Sequence, residues 1–347
     1  MPPRAVIFGC AGTALSEAER SFFAATDPLG FILFVRNCRD RPQIRALVAA
    51  LRGAVGRDDA PVLIDQEGGR VARLRPPEWR AAPASVAFGA LDRAAPEAAI
   101  EAVRLNANLI AADLADLGIT VNCAPVLDVA SPGMHEAIGD RAYADRADVV
   151  ARLGRACAEG LLEGGVLPAL KHLPGHGRAG ADTHLGATAI EATRKELRAV
   201  DFAPFRALAE MPIGIVGHPI YTALDARNPA SVSPVVIPEA IRVEIGFDGL
   251  LISDDLNMAA LSGSPGTRAA AALVAGCDIA LHCNGEMVEM VAVAESVGAM
   301  SASARERWGR ARDRLVPAPG LDRHCAEAAL AARLGLVTGL QTVAAVT

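Results

Sequence analysis

Residues 166–184 read VLPALKHLPGHGRAGADTH. The apolar run Val166 to Leu170 has the length and composition of a buried strand, and it leads directly into a loop holding Lys171, His172, His176, Asp182 and His184. Three of the chain's seven histidines lie here, threaded by Gly175, Gly177 and Gly180. Glycine costs backbone entropy and packs nothing. A glycine-rich loop loaded with ionisable groups at a strand end is therefore poor structural material and good catalytic material. Of 34 basic side chains only two are lysines, Lys171 and Lys195. Where arginine fills almost every other basic position, a lysine beside His172 points to a need for a compact ammonium rather than a guanidinium fork.

The same strand-then-polar pattern recurs outward from this stretch. Strands are expected at Ala5 to Gly9, Phe31 to Val35, Pro61 to Ile64, Val121 to Leu127, Val166 to Leu170, Ile213 to Val216, Leu250 to Ser253 and Ile279 to His282. Helical patterns fall between them at Gln43 to Val55, Ala94 to Leu117, Ala147 to Glu163, Arg194 to Glu210, Ile237 to Ile245 and Thr267 to Ala275. About eight β-then-α units predict a (β/α)8 TIM barrel in a single domain over residues 1–347. Helices at Met287 to Val297 and Ser303 to Leu315 would close it. A short C-terminal helical extension, Cys325 to Leu334, is expected to pack across it. An open doubly wound sheet would need a glycine-rich dinucleotide turn after the first strand, and GCAGTAL (9–15) matches that poorly.

Bulk properties narrow the function. A net charge of −6 argues against a nucleic-acid or anionic-membrane footprint. Seven scattered cysteines without a CxxC pair suit a reducing compartment, and the absence of a long apolar run suits a soluble, cytoplasmic protein. Polar groups follow nearly every expected strand: Arg36-Asn37, Asp65-Gln66-Glu67, Asp128, Lys171-His172, His218, Asp254-Asp255 and His282 to Asn284. In a barrel that end carries the active site.

Asp254 and Asp255 suit one nucleophile or electrostatic stabiliser and one helix cap, and strand alternation would let only one face the pocket. Asp65 would hold a polyol through two acceptor oxygens, with Gly68-Gly69 bringing Arg70 and Arg73 close. Asp182 and His184, two residues apart, point the same way, so the carboxylate fixes the imidazole tautomer and leaves the other nitrogen as a proton shuttle. His176 serves as a ligand or a loop buttress; His218 and His282 read as core or supporting histidines. Ser131, Ser233 and Ser253 lack a GxSxG elbow. Histidines 172, 176, 184 and 218 with Asp254 leave a metal-dependent hydrolase open, although no HExxH spacing occurs.

FILFVRN (31–37), LIDQEGGRVARLR (63–75), NCAPVLDV (122–129), IGDRAY (138–143), KHLPGHG (171–177), DTH (182–184), RVEIGFDGLLISDDLNM (242–258) and AGCDIALHCN (275–284) together resemble glycoside hydrolase family 3, in particular the single-domain bacterial β-N-acetylhexosaminidases of peptidoglycan recycling. The resemblance implies Asp254 as nucleophile and His184 as general acid/base oriented by Asp182. It implies Asp65, Arg73, Arg141, Lys171 and His172 as the groups that hold terminal N-acetylglucosamine. It further implies no cofactor or metal, a muropeptide as the small carbohydrate substrate, and a monomer or weak homodimer. Leu173, Thr183 and Gly217 depart from the family's usual phenylalanine, serine and alanine. A phosphorylase on the same scaffold is the alternative, since a histidine shuttle tolerates an incoming phosphate anion.

Overall fold

In the computed structural model, which describes residues 2–317 and 320–344, eight parallel strands close into a barrel in sequential order. They are β1 (Arg4–Phe8), β2 (Pro28–Leu33), β3 (Val62–Ile64), β4 (Val121–Asn122), β5 (Leu167–Leu173), β6 (Ile213–Val216), β7 (Leu250–Asp255) and β8 (Ile279–His282). All eight expected strands are present, and β1 pairs with both β2 and β8 to complete the ring.

Side-chain alternation along each strand builds two separate cores. Ala5, Ile7, Leu63, Val121, Leu167, Ala169, Ile213, Ile252 and Ile279 point into the barrel and pack on one another. Their neighbours Val6, Phe8, Ile64, Val166, Leu170 and Leu251 point outward beneath the helices. Such strands are apolar on both faces because both faces are buried. The lower, N-terminal mouth is filled by the helix Ala302–Arg312, whose Ala304, Trp308 and Ala311 join the inner core with Met300. The C-terminal mouth of the barrel is left open.

Three differences from expectation have physical causes. The C-terminal helix Arg323–Ala344 does not cross the barrel; it packs on the outer helices Ser85–Ala94 and Pro96–Asp116 through ion pairs such as Arg323–Asp113 at 2.7 Å and Arg333–Glu101 at 2.6 Å. The Arg194–Glu210 region is broken into a short helix, a π-helical turn at Leu197–Asp201 and a further short helix. Finally, Ala189–Ile190 pairs in parallel with Ile220–Tyr221 above the barrel rim, joining the loops after β5 and β6. No described helix is long and apolar enough to cross a membrane.

Candidate active site

The upper mouth opens into a cleft of about 240 Å³, lined among others by Asp65, Glu67, Arg73, Arg141, Lys171, His172, Asp182, His184, Asp254 and Asp255. The eight residues assigned to catalysis or sugar binding (Asp65, Arg73, Arg141, Lys171, His172, Asp182, His184 and Asp254) all reach one cavity. They arrive on different elements: Asp65 and Glu67 just beyond β3, Arg141 on the turn Gly139–Arg141, Lys171 and His172 on β5 itself, and Asp254 and Asp255 ending β7.

One wall is a preformed ionic lattice. Lys171 Nζ lies 2.8 Å from Asp65 Oδ1 and 2.6 Å from Glu67 Oε1. Arg73 Nη2 reaches Asp65 Oδ2 at 2.9 Å, and Arg141 holds Glu67 bidentately at 2.9 and 2.8 Å. His172 Nδ1 sits 2.7 Å from Asp128 Oδ2, and Asp128 Oδ1 accepts the backbone N–H of His172 and of His176. Burial alone would raise these carboxyls, but the adjoining cations and hydrogen bonds win. Glu67 and Asp128 are held at about 2, and Asp65 lies well below the ordinary carboxylate range. The reciprocal effect raises Lys171, whose two carboxylates outweigh its desolvation. Three carboxylates against Lys171, Arg73 and Arg141 leave the lattice near neutral, with donors and acceptors fixed in space. That is an apt surface for a polyol, because no side chain must be ordered when it binds.

Glu67 and Asp128 carry as much of this lattice as the residues selected from sequence. Their signal was position: each follows an apolar run, Glu67 two residues past Asp65 and Asp128 at the end of APVLD. Arg70, expected beside Asp65, instead turns to Asp140 at 2.7 Å and to backbone carbonyls of the 136–138 segment.

The opposite side holds Asp254. Burial pushes its carboxyl up, but His172, His218, the Asp255 N–H and Lys171 more than offset this, and it stays below the ordinary value. Oδ1 accepts the Asp255 N–H at 2.9 Å. The expectation that only one of the two aspartates faces the pocket is corrected, since both line the cleft. They are nonetheless unequal. Asp255 Oδ1 accepts from Asn257 N and Nδ2 and from Cys283 N, capping the turn after β7, and burial raises its carboxyl to about 6.

Asp182 Oδ1 takes both the backbone N–H of His184 at 2.9 Å and its Nδ1 at 2.8 Å. A carboxylate only accepts, so Nδ1 carries a proton and Nε2 is left as the nitrogen that can give or take one. The His184 side chain is 67 % exposed on its loop. Between these two residues Thr183 is buried, its hydroxyl 3.3 Å from His176 Nε2 and its carbonyl accepting from Ala260 N. His176 is therefore a buttress, kept neutral by burial that lowers it to about 4. His282 is a core residue, edge-on to Phe8.

The expectation that the loop glycines pack nothing is corrected at two of three positions. A Cβ on Gly177 would lie 1.8 Å from the Val129 carbonyl oxygen, and one on Gly175 would meet Asp201 at 2.9 Å, where φ is +130°. These glycines allow close packing. Only Gly180 has open space around it, its nearest neighbour being Gly133 O at 3.9 Å. Among the described residues no three His, Cys, Asp or Glu side chains converge in an arrangement suited to a metal ion.

A model of the glycosyl hydrolase family 3 N-terminal domain matches residues 10–314. The chain belongs to glycoside hydrolase family 3. Within the family it is similar to the β-hexosaminidase of Xanthomonas oryzae pv. oryzae, at 39 % identity over 82 % of this chain and 84 % of that one. The Methylococcus capsulatus β-hexosaminidase is 40 % identical over 80 % and 82 % of the two chains. Native NagZ from Neisseria gonorrhoeae superposes with a TM-score of 0.83 at 30 % identity, covering 98 % of both. The chain is a glycosidase of the β-N-acetylhexosaminidase class, built on that family's (β/α)8 barrel.

Proposed function

We propose that the chain is an exo-acting, retaining β-N-acetylglucosaminidase that removes terminal N-acetylglucosamine from peptidoglycan-derived muropeptides through a glycosyl-enzyme on Asp254. The observation that carries the reading is the cleft itself, where the Asp65/Glu67/Lys171/Arg141 lattice, ionised Asp254 and the His184–Asp182 pair share one wall-to-wall space. The lattice, with Arg73 and His172, would hold the sugar hydroxyls and fix the anomeric carbon against Asp254.

In the first step the Asp254 carboxylate forms a bond to that carbon as the glycosidic bond breaks. His184, protonated on both nitrogens, passes its Nε2 proton to the departing oxygen. Asp182 keeps the Nδ1 proton and offsets the imidazolium charge. In the second step bare Nε2 accepts a proton from water, the oxygen attacks the anomeric carbon, and the Asp254 carboxylate leaves. Histidine suits this task because its ordinary value of about 6.5 needs little tuning, and as a base it adds no second negative charge beside Asp254. Separation rules for carboxylate pairs do not apply to such a site.

His184→Ala tests the assignment. Turnover of an aryl N-acetyl-β-glucosaminide with a good leaving group should fall far less than turnover of a natural glycan; equal losses on both would overturn the acid/base role. Because the acid/base is a histidine, phosphate as acceptor is the second reading, and added phosphate diverting product to the sugar 1-phosphate would establish it. Full activity after exhaustive chelation is expected, and its loss would favour metal-dependent hydrolysis. Seven unpaired cysteines support a reducing, cytoplasmic setting.

A further inference from the structure

The two oxygens of Asp254 are not equivalent. Oδ1 is occupied by the Asp255 N–H at 2.9 Å, and among the described residues Oδ2 accepts no hydrogen bond. The direction of that N–H depends on how the Asp255 backbone is held. Its carboxylate is fixed by Asn257 and Cys283, and its carbonyl oxygen lies 3.0 Å from His218 Nε2.

His218 is fully buried just beyond β6 and belongs to no part of the proposed chemistry. A carbonyl only accepts, so His218 Nε2 carries a proton, and in the neutral ring that burial favours Nδ1 is bare. Bare Nδ1 is matched by the buried Ser231 hydroxyl at 2.6 Å. Ser231 is brought there because the excursion after β6 closes on itself, Ser231 N–H donating to the Gly217 carbonyl at 3.1 Å. The donors then run one way: Ser231 Oγ–H to His218 Nδ1, His218 Nε2–H to Asp255 C=O, Asp255 N–H to Asp254 Oδ1. Burial lowers the His218 pKa, and the ring orients the strand end through its hydrogen bonds.

We propose that His218, its tautomer set by Ser231, is a positioning residue that holds the Asp255 main chain so that Asp254 presents Oδ2 to the anomeric carbon. This rests on the reading of Asp254 as nucleophile.

The test measures three quantities for His218→Leu, His218→Gln and Ser231→Ala: the rate of the aryl-alcohol burst that reports glycosyl-enzyme formation, the inhibition constant of free N-acetylglucosamine, and the melting temperature. His218→Leu should slow the burst about 100-fold, the scale of a misplaced reacting group, with N-acetylglucosamine binding changed less than threefold. Gln restores an N–H donor at the Nε2 position and should recover the rate to within about tenfold of wild type. Ser231→Ala should slow the burst about fivefold or more by freeing the tautomer. A purely structural role would weaken sugar binding in step with the rate, and that result overturns the proposal. So does a Gln variant as slow as Leu. If His218→Leu does not fold, Ser231→Ala decides alone, an unchanged burst being the refuting result. Asp254→Ala is run alongside: if it retains turnover, the nucleophile reading fails whatever His218 does.

Discussion

Replacing Lys171 by methionine removes the cation that bridges Asp65 and Glu67 while keeping most of the length of the side chain. Lys171 is 3 % exposed, and its ammonium lies 2.8 and 2.6 Å from the two carboxylates, themselves mostly shielded. Arg73 and Arg141 then face three carboxylates with two charges. Removing one partner of a buried ion pair costs about 3–5 kcal/mol because the charge left behind is uncompensated. The pH dependence follows from linkage. In the wild type Asp65 and Glu67 are held below their ordinary values, so their contribution is present above the unfolded carboxyl pKa and is lost as pH falls through the folded ones. Without Lys171 both carboxyls rise, one can protonate on mild acidification, and the defect shrinks. Urea unfolding of both proteins at pH 7.5 and pH 5 should give a loss of about 3–5 kcal/mol at the higher pH and a clearly smaller one at the lower. A loss that is equal or larger at pH 5, or below about 1 kcal/mol at pH 7.5, would refute the lattice as described.

Gly177→Ala drives a Cβ to 1.8 Å from the Val129 carbonyl and should cost about 1–3 kcal/mol and most activity, whereas Gly180→Ala, in open space, should cost little of either; thermal melts and aryl-glycoside turnover distinguish them, and equal effects would contradict the packing account. His176, lowered to about 4 by burial, binds its proton only in the unfolded chain between about pH 6.5 and 4. The wild type should therefore lose stability relative to His176→Gln as pH falls through that window, by up to about 3 kcal/mol. A constant difference from pH 7 to 4 would show that His176 is not buried neutral. Asp182→Asn should preserve the loop but weaken control of the His184 tautomer, cutting natural-substrate turnover about tenfold or more; unchanged activity would remove its orienting role.

The barrel was legible because strands buried on both faces are short runs of Val, Ile and Leu, and because nearly all of them end in a polar group. Less was legible where the signal is not periodic. The helix Glu17–Thr26 begins with a capping box, Ser16 and Glu19 each satisfying the other's backbone, and that S-x-x-E pattern was readable although its weak apolar stripe is not. The rim pairing of Ala189–Ile190 with Ile220–Tyr221 is two residues long on each side, too short for any period. In the site, residue types and strand-end positions pointed to Asp65, Lys171 and His172, and the resemblance added Arg141. The partners Glu67 and Asp128 are fixed by contacts across 74 and 44 residues of chain, which the barrel's closure creates and local sequence does not. The two packed glycines were misread for the same reason, since Val129 and Asp201, which they touch, are far along the chain.

The most direct test of the account is to trap the intermediate. A 5-fluoro N-acetylglucosaminyl fluoride, which forms a glycosyl-enzyme faster than it is hydrolysed, is incubated with the wild-type protein. The labelled residue is then located by fragmenting the proteolytic peptide that contains Ser253-Asp254-Asp255-Leu256. The account predicts one sugar per chain, esterified to Asp254. A label on Asp255 or elsewhere, or turnover of the probe with no covalent species, would contradict it.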